Sequence, residues 1–152
     1  MKIVLQRVSH ASVDVAGVRI AQIGAGLLLL VGIAVDDADI DVAKIAKKIV
    51  DLRIFEDEDR KMNRSLRDTG GAALAVSQFT LCASVSKGRR PSFVNAAPPE
   101  IAEAVFDAFV EALRAEGVAV QIGEFGAKMA VVLENTGPVT LVLEVAGGGV
   151  TG

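Results

Sequence analysis

One histidine, His10, and one cysteine, Cys82, are all that the 152-residue sequence offers of either. A zinc site of ordinary ligand spacing cannot be assembled from them. A single cysteine forms no internal disulfide, so nothing points to secretion, and Cys82 reads as a small packed side chain. His10 lies among strand residues with no Ser or Asp motif directed at it. That argues against a hydrolase triad and for a structural or surface role. Long apolar runs are missing too: the most apolar stretch, Leu27 to Val35, is nine residues interrupted by Gly32, against the ~20 that a spanning helix needs. The stretch from Met1 to Arg7 turns polar too early for a signal peptide, so a cytoplasmic chain with no membrane partner is expected. A phosphate-binding glycine fingerprint is also lacking, because Gly24-Ala25-Gly26 leads into a strand and not a helix. Neither a metal nor a cofactor is expected.

Sixteen Lys and Arg against nineteen Asp and Glu give a net charge of −3. This counts against a protein that coats nucleic acid non-specifically and leaves room for a local basic patch. Hydrophobic residues make up 51% of the sequence. A domain of this size buries only about 70% of the surface its unfolded chain exposes. Some apolar surface is therefore left for a partner subunit to cover, and a homodimer is the simplest expectation.

The length fits one domain. Residues 2–35 read as strands, with period-2 patterning at Ile3/Leu5 and Val13/Val15 and a tight hairpin at Val15-Ala16-Gly17-Val18. Leu27–Val35 is apolar on both faces, as a central covered strand should be. A helix follows, with Asp36, Asp37, Asp39 and Asp41 at its start and a stripe of Val42, Ile45, Ile49 and Leu52. Glu56 to Asp68 is charged and irregular; Ala72–Phe79 is the next apolar strand; residues 84–98 form a polar loop. Pro98-Pro99 opens a second helix, with Ala102, Val105, Phe106, Phe109 and Leu113 on one face and Gly117 at its end. Val118–Ile122, Ala130–Asn135 and Val139–Val145 close the chain as strands. The fold expected is a mixed α/β (α+β) domain of mostly antiparallel sheets with two main helices. It spans residues 1–145, followed by a flexible glycine-rich tail at 146–152.

Three segments could carry chemistry. Ser77-Gln78-Phe79-Thr80-Leu81 places polar side chains at the end of an apolar strand, where a rigid scaffold fixes geometry and a loop gives access. Its alternative is a strand whose Ser and Thr bond locally to the backbone. Lys87, Arg89 and Arg90 put three cations within four positions, which suits a phosphate-bearing ligand; the alternative is a solvated surface run. Phe93 offers either a stacking face or an anchor to the core. Asn135-Thr136-Gly137-Pro138-Val139-Thr140 is, from its composition, a hairpin turn between two strands.

Taken in order, Leu52-Arg53-Ile54-Phe55-Glu56-Asp57-Glu58, Lys61-Met62-Asn63 and these three segments closely resemble the bacterial D-aminoacyl-tRNA deacylase family, from Met1 to about Val145. The resemblance implies a barrel-like core and hydrolysis of the ester of D-aminoacyl-tRNA, with L-aminoacyl-tRNA spared. It also implies a homodimer in which a cis Gly137-Pro138 pair enters the neighbouring subunit's pocket and screens chirality with main-chain atoms. Glycine has no side chain to reject, so glycyl-tRNA is an expected second substrate. Thr80 corresponds to the family's candidate nucleophile or orienting hydroxyl. The competing route is attack by water assisted by the terminal ribose 2′-OH, with Ser77, Gln78 and Phe79 building the substrate pocket. Lys87, Arg89 and Arg90 would contact tRNA phosphates. The rival readings are a non-catalytic tRNA- or DNA-binding module and a small-molecule esterase that uses Thr80 or Ser77 directly.

Overall fold

The computed structural model describes residues 1–86, 88–146 and 149–152. Three long strands open the chain: β1 (Lys2–Val15), β2 (Val18–Ile23) and β3 (Gly26–Gly32). Ala16 and Gly17 both take positive φ, 49° and 80°, the backbone that a two-residue hairpin requires to match strand twist. β3 is buried at six of its seven positions and lies between β1 and β6, the central placement that its two-sided apolarity predicts.

The helix α1 (Val42–Val50) begins later than the run of aspartates. Asp41 caps it by accepting from the Lys44 N–H at 3.1 Å. Asp37 belongs instead to the turn before it, where one carboxylate oxygen accepts from the Met1 ammonium and the other from the Ala34 N–H, both at 2.6 Å. The charged segment expected to be irregular is organised: β4 (Phe55–Glu56) pairs with β5 (Met62–Arg64), and a capping box between Ser65 and Asp68 starts the short α2 (Leu66–Thr69).

β6 (Ala72–Ser77) is shorter than its apolar pattern. Gln78 donates the last ladder bond to Val31, and the chain then winds into a 3₁₀ turn, Phe79–Cys82. α3 (Pro99–Ala115) starts on the expected proline and buries Ala102, Val105, Phe106, Phe109, Val110 and Leu113. β7 (Ala119–Ile122) and β8 (Met129–Ala146) follow. Gly149–Thr151, in the segment expected to be a flexible tail, form β9 and pair with the end of β8.

The main sheet has seven strands in the order β7-β6-β3-β1-β8-β9, with β2 also on β1. β1 pairs antiparallel with β2, β3 and β8, whereas β3, β6 and β7 run parallel. Parallel neighbours need a crossover, and the chain supplies one through α1 and one through α3. Under these helices lies the larger core, with Ile3, Leu5, Leu27, Leu29, Ile45, Ile49 and Phe109. The sheet curls so that Val8, Val13, Ile23, Leu28, Leu74 and Val76 fill a second, smaller core on its other face.

Candidate active site

Where β3 and β6 end, the sheet opens onto a cavity of about 630 Å³. Val31 and Ile33 form its floor, Ser77, Gln78 and Phe79 one wall, and Phe93, Val94 and Ala96 to Pro99 another. Gly32 makes this arrangement possible. A Cβ there would stand 2.8 Å from the Leu81 Cβ and 3.0 Å from the Gln78 carbonyl oxygen. Only a glycine lets the 3₁₀ turn settle against β3, and that turn carries Phe79 and Thr80.

Phe79 and Phe93 meet edge to face, with centroids 5.0 Å apart and planes at 66°. Both are well exposed, as are Val35 and Val94, so the mouth of the cavity is an apolar rim open to solvent. Rims of this kind mark binding surfaces. Ser77 and Gln78 are the only polar side chains in the lining, and no carboxylate, imidazole, amine or guanidinium reaches it among the described residues.

Thr80 sits on the outer side of the turn, exposed, and its hydroxyl accepts from the Gln78 side-chain amide. No base touches that hydroxyl among the described residues. His10 is likewise elsewhere: it is exposed on β1 beside the Ser9 hydroxyl, which donates to Glu134. Cys82 is buried, and that burial pushes its thiol up from the usual range. Among the described residues no group of three His, Cys, Asp or Glu is placed to hold a metal ion.

The cation loop is fastened at its base. Ser84 and Ser92 exchange two backbone hydrogen bonds, 2.8 and 2.9 Å, and Phe93 follows directly into the cavity wall. Arg89 and Arg90 are exposed, with no carboxylate paired to them among the described residues. Lys87, the third cation of the run, lies outside the described residues.

Gly137-Pro138 is not in a hairpin turn. Asn135 stands opposite Val8 and Thr140 opposite Gln6, so both limbs of β8 keep the same direction along β1 and the residues between them form a bulge. The Gly137-Pro138 peptide is cis, and Gly137 has φ +115°. The bulge is held by Arg7, a residue that no local sequence motif singles out. Arg7 is buried to 7% exposure; its Nε donates to the Thr136 carbonyl at 3.1 Å and its Nη1 to the Ile54 carbonyl at 2.7 Å. A side chain at 137 would run into that guanidinium. Asn135 completes the frame, accepting from the Val139 N–H at 2.9 Å and donating to Thr140 at 2.7 Å.

Within one chain these parts are not brought together. The bulge lies level with Leu27 and Ala73, four residues short of Ser77 on β6, and three strands away. Strand geometry makes that separation on the order of 20 Å. Gly137 and Pro138 do not line the cavity.

The family model that matches, over residues 4–144, is that of the D-Tyr-tRNA(Tyr) deacylases. A D-aminoacyl-tRNA deacylase of Thermomicrobium roseum is 57% identical over 146 residues, covering 96% of this chain and 95% of that one. One from Chlorobaculum parvum is 52% identical over 145 residues, covering 95% and 97%. Among solved structures, the c-Myc DNA unwinding element binding protein superposes with a TM-score of 0.89 at 43% identity, over 96% of this chain and 99% of its own. A probable eukaryotic D-amino acid tRNA deacylase shares the fold at 20% identity, with a TM-score of 0.77 over 93% of this chain and 97% of its own.

Proposed function

The chain belongs to the D-Tyr-tRNA(Tyr) deacylase family, and on that premise we propose how its site works. It is an ester hydrolase that acts on D-aminoacyl-tRNA and releases the D-amino acid and free tRNA. The observation that carries the mechanism is a cavity with no ionisable group in its lining among the described residues. An aminoacyl ester on a ribose is already activated, so orientation and stabilisation of the oxyanion suffice. Thr80 has a hydrogen-bonded amide and no base beside it among the described residues, and a hydroxyl without a base is a poor nucleophile. Water assisted by the terminal ribose 2′-OH is the attacking group, with Ser77, Gln78 and Phe79 holding the terminal adenosine or the amino group.

Chirality is screened by main chain. The bulge at Gly137-Pro138 stands too far from its own cavity to serve it, which supports a homodimer in which the partner's Gly137-Pro138 completes each site. Arg7 on one side fixes that main chain, and a fixed wall excludes an L side chain as a mobile side chain could not. Glycine presents nothing to the wall, so glycyl-tRNA is a second substrate. Arg89 and Arg90, with Lys87 of the same run, contact phosphates near the acceptor end and supply affinity without choosing a sequence. The setting is the cytoplasm.

The similarity to a DNA unwinding element binding protein favours a second reading, a non-catalytic tRNA- or DNA-binding module. One experiment separates the two: hydrolysis of tRNA charged with D-tyrosine, L-tyrosine or glycine, run in parallel. Loss of the D- and glycyl esters with the L-ester spared is expected. Binding with no turnover would favour the module, and loss of all three esters would overturn the Gly137-Pro138 screen.

A further inference from the structure

The exposed face of α1 carries Lys44, Lys47 and Lys48. Their spacing of three and four stacks side chains on one side of a helix, while Ile45, Ala46, Ile49 and Val50 are buried. With Asp51 and with Val150 of β9 the lysines bound a groove of about 380 Å³. Three cations within five positions contrast with a chain whose net charge is −3. Asp51, the one carboxylate lining the groove among the described residues, pairs with Lys47 at 3.0 Å and with Arg67 at 3.3 Å.

Sheet register relates this groove to the cavity. Val150 stands opposite Val145, whose N–H donates to the Met1 carbonyl at 2.9 Å. Lys2, one step on, is level with both Glu144 and Gly32. Val150 of β9 and Val145 of β8 therefore fall on one transverse row with Met1 and Ile33, one residue beyond the ends of β1 and β3. Ile33 lines the cavity. Three strand spacings of about 4.8 Å place the groove and the cavity roughly 14 Å apart, at the same end of the sheet.

We propose that the lysine face of α1 is a second RNA-backbone contact, which holds phosphates of the acceptor arm while its aminoacylated 3′ end occupies the cavity. The proposal rests on the tRNA-deacylase reading and extends it beyond the Arg89-Arg90 loop to a separate element. Ammonium groups suit this role, since they are compact point charges that grip phosphate without reading bases.

The test uses the full chain and a Lys44→Gln/Lys47→Gln/Lys48→Gln variant. Binding of fluorescently labelled, uncharged tRNA is titrated across a salt series, and turnover of D-tyrosyl-tRNA is followed alongside. At about 100 mM salt, Kd and KM should rise at least about tenfold, kcat should hold, and the slope of log Kd against log salt should fall by roughly two to three. A triple Lys→Arg variant, which keeps the charges, should restore all three readouts. An unchanged Kd and slope would overturn the proposal. So would a joint fall of kcat and melting temperature that arginine does not rescue, because the lysines would then be structural. Failure of the parent to bind tRNA also overturns it. Absence of turnover in a parent that binds sinks the deacylase reading alone, and the binding arm still decides the role of the lysines.

Discussion

Arg7 shows how one side chain can tie together pieces that the sequence keeps apart. Its guanidinium joins the Ile54 carbonyl before β4 to the Thr136 carbonyl before Gly137 and lies 3.6 Å from Glu56. Arg7→Ala should cost about 2–4 kcal/mol, read by urea unfolding, because one buried and one part-buried carbonyl lose a charged donor. It should also raise the rate on L-aminoacyl-tRNA relative to the D-ester as the Gly137 wall loosens; an unchanged ratio would mean that the wall needs no clamp. Arg7→Lys should not rescue, since an ammonium cannot form the same fork. Thr80→Ala is expected to keep most of its turnover, measured on D-tyrosyl-tRNA. Abolition with affinity and fold intact would make Thr80 the nucleophile. Ser77 and Gln78 broke an apolar strand where nothing in the core needs polarity, and that break marked the strand end at which the cavity opens. Arg7 left a fainter sign, a charge in phase with buried Ile3 and Leu5, and its partners lie 47 and 129 positions away, beyond any local pattern.

Among the elements, the 3₁₀ turn and the β4–β5 ribbon position the parts that the strands cannot. Gly32→Ala would push a methyl into Leu81 and the Gln78 carbonyl. It should cost about 1–3 kcal/mol and lower kcat/KM, because Phe79 and Gln78 ride on that turn. Wild-type kinetics in a destabilised variant would show that the turn tolerates a shift. In the ribbon, the Asp57 carboxylate is held below the usual range, first by the Lys61 N–H and then by the Asn63 amide. Its folded value lies below its unfolded one, so its contribution is complete at neutral pH and is lost as pH falls through the lowered value. Asp57→Asn should therefore lower the melting temperature at neutral pH and above and flatten the acid limb, the difference from the parent closing as pH falls through that lowered value. α1, α3 and the first hairpin were readable because period and punctuation agree there. Residues 135–140 were not, because Gly and Pro mark a bulge as readily as a turn, and only the pairing of both limbs with β1 tells them apart. The apolar pattern also carries β6 past Ser77 to Phe79, since Phe79 looks like strand until the Gly32 gap draws it into a turn.

For the whole molecule, the curl of the sheet leaves an apolar rim at Val35, Phe79, Phe93 and Val94 and a projecting bulge at Gly137-Pro138, both exposed. A rim and a projection about 20 Å apart on one chain suit two copies related by a two-fold axis, each filling the other. Light scattering at micromolar concentration should give twice the chain's 15.8 kDa, and Pro138→Ala mixed with wild-type chain should yield hybrids with one impaired site. A monomer with full chiral selectivity would remove the partner from the mechanism. Apolar content led to the expectation of a homodimer without naming the surfaces that would meet, because composition carries no geometry. The parallel arm of β6 and β7 was similarly hidden: strand patterns do not show direction, and only the crossovers through α1 and α3 set it.

A cavity lined by nothing that titrates among the described residues has a consequence for the cell that houses it. The step that removes a D-residue should draw no acid–base dependence from the cavity wall, because no described residue of that wall changes state. Such pH dependence as there is belongs to the cargo, whose α-amino group titrates near ~8. The acidity profile of this proofreader is written in the amino acid it rejects.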